Sequence, residues 1–244
     1  MRLLRLGDHV GRQNWLAIFL EFVIVVVGVF LGLQAQAWNQ QRLDRQAERS
    51  YQDRLAADFT AIDRALAHCM RTFTGSLDAV KMLRRAAEQF AAGQTANMPS
   101  HKALADALIR ATASSASPGR AATFVEMLSA GELGLLRDNA LRNALIAYDQ
   151  QAQVGRESWR MLRDLEGDHL DTLYRHVDLR IDLDGAQYAD IPDFDFEGMT
   201  SNPDFPLMLN ILAGAKANSY DLCKQQRRLA ANTLEAIARA GPEN

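Results

Sequence analysis

The sequence predicts an all-α protein in which an N-terminal transmembrane helix continues into an elongated, mostly antiparallel helical bundle. Three observations predict it. The stretch Trp15–Trp38 is almost wholly apolar; from Gln40 onward apolar residues recur at close to 3.6 residues; and Gly and Pro together number 21 of 244 residues, thinly spread through an alanine-rich chain. β-Branched residues concentrate in the apolar stretch and not in the rest, which disfavours a sheet.

The membrane helix follows from energetics. Between Leu16 and Leu33 fourteen residues are Leu, Ile, Val or Phe. Each favours insertion by roughly 0.3 to 0.6 kcal/mol, against a penalty of about 3 kcal/mol at most for Glu21. At about 1.5 Å per residue Trp15 and Trp38 lie roughly 35 Å apart, which sets an indole at each headgroup layer of a hydrocarbon core about 30 Å thick. Glu21, Val25, Gly28, Gly32 and Ala35 share one face of this helix. Gly28-x-x-x-Gly32 lets a second backbone approach closely, so this face is the candidate for a homodimer within the bilayer. Glu21 has two readings: a role in that association, or a boundary charge that reaches the interface near Trp15.

Residues 1–14 carry Arg2, Arg5 and Arg12 among apolar side chains and read as a basic amphipathic head on the inner membrane surface. Arg42, Arg45, Arg49 and Arg54 follow the helix as closely, so charge alone does not set direction. A short cationic head before a long apolar run has the format of a signal-anchor, placing the N-terminus in the cytoplasm and residues 39–244 in the periplasm of a bacterial inner membrane. Ala35-Gln36-Ala37 has the form of a signal-peptidase site, but the apolar run is longer than a cleaved signal requires; the anchor is expected to stay.

In the body, Leu43, Ala47, Tyr51, Leu55, Phe59, Ile62, Leu66, Met70, Phe73, Leu77, Val80 and Leu83 mark one long amphipathic helix, continuous with the anchor and with a soft point at Gly75. Ser100 caps a short helix over His101–Ala111. Ser117-Pro118 reads as a cap and a first-turn proline, followed by a short helix, a turn at Ser129–Gly134 and a third long helix toward Val177. Residues 181–204 hold seven acids and no Lys or Arg, with Tyr188, Phe194 and Phe196 interleaved, and read as a long connection packed down by its aromatic side chains. The last helix starts near Asn202-Pro203, buries Phe205, Met208, Leu212, Tyr220, Leu229, Leu234 and Ile237, and stops at Gly241-Pro242.

No constellation carries a recognisable reaction. The net charge of −3 gives no nucleic-acid footprint. Glu166-x-x-His169, with His176 seven residues on, has half the pattern of a carboxylate-bridged dimetal bundle, and its second half is missing. Asp182-Leu183-Asp184-Gly185 fails as a calcium loop, since Arg180 and Ile191 would occupy ligand positions. No nucleophile elbow, phosphate loop or dinucleotide fingerprint occurs. Catalytic, metal and cofactor sites are therefore expected to be absent. Cys69 and Cys223 match no metal spacing; they either bridge a first and a last helix in an oxidising compartment or are two buried thiols.

The opening DHVGRQNWLAIFLEFVIVVVGVFLGLQAQAWNQQR resembles the start of a family of uncharacterised bacterial single-pass membrane proteins. Those proteins show an acid, a Val/Ile-rich run with glycine, a glutamine and a terminal Trp-Asn, and here Glu21, Gly28, Gly32, Gln34, Trp38 and Asn39 stand in those places. TFVEMLSAGELGLLRDNALRNALIAY is similar to a later Ser-x-Gly turn in the same family, at Ser129 and Gly131. The resemblance implies an anchor and a helical body and no reaction. The function expected is a non-enzymatic interaction or scaffold module of the envelope, with the lipid bilayer, a second copy and an envelope protein as partners. The alternative is a sensory or small-ligand-binding domain acting through a partner.

Overall fold

The computed structural model describes residues 10–116, 118–181 and 189–241. Among them are six α-helices and one two-stranded sheet, so the all-α class holds. The chain forms two compact units, the first ending at Tyr51 and the second beginning at Gln52; residues 39–51, assigned from sequence to the body, belong with the first.

Helix α1 is Val10–Ala91. From Leu55 to Leu83 the predicted stripe is buried at Leu55, Phe59, Ile62, Leu66, Phe73, Val80 and Leu83, with Cys69 on the same line. Burial of each Leu, Ile, Val or Phe contributes about 1.5–3 kcal/mol, which fixes the rotation of the helix about its axis. Ahead of that point the stripe is not enclosed, and Leu43 is exposed.

Helix α2 is His101–Thr112, and Ser100 caps it as expected, its hydroxyl accepting from the Ala103 amide at 3.3 Å. Helix α3 is Ala122–Ala130 and does not begin at Pro118. Gly119 turns the chain there with φ +76°, and the free Thr123 amide is satisfied by the Asp58 carboxylate of α1 at 2.8 Å rather than by a local cap. Ser117 lies outside the described residues. The Ser129–Gly134 turn is present: Gly131 ends α3 with φ +71°, and a 3-10 turn covers Glu132–Leu135.

Helix α4, Asn139–Tyr174, is capped by Asp138, whose carboxylate accepts from the Ala140 amide at 2.6 Å and the Leu141 amide at 3.2 Å. It stops short of Val177, and the expected loop over 181–204 is corrected in part. Strands β1 (Val177–Ile181) and β2 (Ala189–Phe194) pair antiparallel, with Val177 opposite Phe194 and Ile181 opposite Ala189. Val177, Leu179 and Ile181 alternate with Asp178 and Arg180, the period of a strand, although Val177 is only half-buried and Leu179 is exposed. Residues 182–188, including Tyr188 and the Asp182–Gly185 motif, lie outside the described residues.

Asp195 caps the short helix α5, Phe196–Ser201, by accepting from the Gly198 amide at 2.8 Å. Helix α6 is Phe205–Ala240, starting after Asn202-Pro203, and Gly241 closes it. Its core line differs from the one read in the sequence. Tyr220, Leu229 and Leu234 sit at the edge, while Ser219, Cys223, Gln226, Ala230 and Thr233 are buried. Of these, Gln226 meets α4 at Gly155 and Thr233 donates to the Ala144 carbonyl of α4, while Cys223 turns to α1. At one end of the body Leu83, Leu104, Leu108, Leu173, Phe194 and Phe205 join α1, α2, α4, β2 and α6 in one apolar cluster.

Candidate functional site

The first unit presents the glycine face. Every described side chain from Ile18 to Leu33 is exposed except Val23, which is half-buried, and the apolar window has none of its residues buried. Glu21, Val25, Gly28 and Gly32 therefore all face outward, as do Trp15 and Trp38. A Cβ added at Gly28 or Gly32 would meet nothing within 4 Å, so packing inside this chain gives no reason for either glycine. By length and composition this helix could cross a membrane.

The interior of the second unit holds the Cys69–Cys223 bridge, one of the two readings offered for these cysteines, and polar pairs that the sequence reading did not find. Cys69 on α1 and Cys223 on α6 form a disulfide with a Cα separation of 6.4 Å, both fully enclosed. One turn along α1 from Cys69, the Phe73 ring packs against Trp159 of α4 at 5.2 Å between centres. Lys216 of α6 lies 5.8 Å from the same ring and donates to Glu166 of α4 at 2.8 Å. Lys216 is fully enclosed. The Trp159 indole N–H has no hydrogen-bond partner among the described residues.

A second polar cluster anchors the segment before α3. The Arg120 guanidinium donates to both oxygens of Asp149, at 2.5 and 3.0 Å, and the Gln153 amide donates to the same carboxylate at 2.7 Å. The Tyr148 hydroxyl donates to the Gly119 carbonyl at 2.9 Å, and its ring stands edge-on to Phe59. Burial, then the neighbouring Asp149 charge, pushes the Tyr148 phenol well above its ordinary range. The hydrogen bond to Asp149 pushes Arg120 up; burial opposes it, and the Asp149 charge adds a smaller rise.

Glu166 is thus the partner of Lys216. His169 Nδ1 sits 2.9 Å from the Leu165 carbonyl, and His176 lies past the end of α4, 3.8 Å from Asp195, so the two imidazoles do not share a helical face. Among the described residues no group of three metal-capable side chains converges. The signal for Lys216 was available: it falls on the line of Leu209, Leu212 and Cys223, where an apolar residue belongs.

Between α4 and α6 a shallow groove of about 350 Å³ is lined by Met161, Leu162 and Leu222 together with Ser158, Asn218, Asp221 and Gln225. Met161 is 68 % exposed, and Val154 and Leu165 extend the apolar stripe along α4.

Among the described residues the fold is an α-helical bundle with a single two-stranded sheet, and one helix is long and apolar enough to cross a membrane. Comparison of the chain with family models, with curated proteins and with solved structures finds no match in any of the three.

Proposed function

We propose that the chain is a membrane-anchored, non-enzymatic interaction or scaffold protein of the bacterial envelope. The helix over residues 15–38 spans the inner membrane, the basic head lies in the cytoplasm and the helical body in the periplasm. The observation that carries this reading is the apolar helix with none of its membrane-length window buried, a surface that lipid or another membrane helix would cover. The enclosed Cys69–Cys223 disulfide supports an oxidising location for the body. Two copies associate through Glu21, Val25, Gly28 and Gly32.

A filled core with an exposed apolar stripe over Val154, Met161 and Leu165 supports docking of an envelope protein rather than chemistry inside the bundle. The α4–α6 groove favours a second reading, a small-ligand-binding sensory body that works through a partner; its volume is at the lower end of ligand sites. In-cell crosslinking of the tagged full chain followed by mass spectrometry tests the first reading. Recovery of one envelope protein, lost on Met161→Glu, is expected; an unchanged monomer with no crosslinked species contradicts it.

A further inference from the structure

We infer that the Cys69–Cys223 bond is made by a protein thiol oxidant of the envelope acting before the bundle closes, and that the closed bundle then shields the bond from thiols. The inference rests on the periplasmic placement of the body. Thiol–disulfide exchange needs a thiolate to reach a sulfur atom. In the folded body Cys69 and Cys223 are both fully enclosed, with Leu66 and Phe73 beside one and Ser219 and Gln226 beside the other, all buried. No exchange partner of protein size reaches either sulfur there.

The order of events follows from sequence spacing. Cys69 precedes Cys223 by 154 residues, so in an N-to-C export it arrives first and waits for its mate. The chain contains two cysteines, so one intrachain pairing exists and no reshuffling step is needed. The Cys69 thiolate attacks one sulfur of the oxidant's disulfide, which breaks and leaves a mixed disulfide. The Cys223 thiolate then attacks the Cys69 sulfur and releases the oxidant as a dithiol. The chain gives up two electrons and two protons, and the oxidant takes both.

Three arms test this on the full chain. Cys223→Ser is expected to accumulate Cys69 as a mixed disulfide with an oxidant protein in cells; a free Cys69 thiol throughout synthesis contradicts it. In cells lacking the envelope thiol oxidant, both cysteines of the wild type should take up polyethylene-glycol maleimide after denaturation, and full oxidation there contradicts the inference. In detergent, dithiothreitol should open the bond at least about 100-fold more slowly in the folded protein than in urea; equal rates overturn the shielding. A C-terminal topology reporter separates the two claims. Cytoplasmic signal sinks the placement, whereas periplasmic signal with any of the contrary outcomes sinks the inference alone.

Discussion

Lys216 Nζ lies 2.8 Å from Glu166 Oε2 between α6 and α4, in a setting where the lysine has no solvent exposure at all. Removing one charge strands the other in the core. Lys216→Ala or Glu166→Ala is expected to destabilise the body by about 3–5 kcal/mol. The double replacement Lys216→Met with Glu166→Leu should recover most of the loss. Urea midpoints of the full chain in detergent read both outcomes, and equal losses in the single and double variants would contradict a coupled pair.

Gly155 sets the spacing of α4 and α6. A Cβ there would fall inside van der Waals distance of the Gln226 amide nitrogen and lie 3.4 Å from its Cδ. Gln226 is fully enclosed and has little room to yield. Gly155→Ala should cost about 1–3 kcal/mol by overpacking, relieved when combined with Gln226→Ala. An unchanged midpoint for Gly155→Ala would show that the helices part freely.

The disulfide closes a loop of 154 residues. Constraint of the unfolded chain by such a loop contributes about 3–5 kcal/mol, so Cys69→Ser with Cys223→Ser should lower the urea midpoint by that equivalent. A midpoint that matches the oxidised wild type would mean that the bond adds nothing to stability.

Tyr148 gives the body an alkaline limit. Its phenol stays neutral in the folded state because burial and Asp149 oppose the charge, while the unfolded phenol ionises near pH 10. With the folded value raised, the contribution is complete below about pH 10 and is lost as pH climbs above it. Stability against urea should therefore fall above pH 10, less steeply for Tyr148→Phe. Phenolate absorbance that includes Tyr148 at pH 10 in the folded protein would contradict this.

The apolar N-terminal helix was legible as an unbroken apolar run and the long-helix register as a one-dimensional period, and Leu55, Phe59, Leu66 and Phe73 are enclosed as their spacing required. The caps at Ser100 and Gly131 were legible because each is a local device. The hairpin was missed although Val177 to Ile181 alternates, since the acids around it drew the reading toward a loop. On α6 the error was one of size. Tyr220 and Leu229 look like core, yet Cys223, bonded to α1, and Gln226, set against Gly155 of α4, are the enclosed ones. Lys216–Glu166 and Arg120–Asp149 join residues 50 and 29 apart in sequence, and no local pattern specifies such pairs.

The account depends most on the fate of residues 15–38. Membranes from cells expressing the full chain, extracted with alkaline carbonate and sedimented, should retain the chain in the pellet until detergent is added. A chain beginning at Gln40 should stay in the supernatant. Full-length protein released into the carbonate supernatant would contradict the membrane span and everything placed around it.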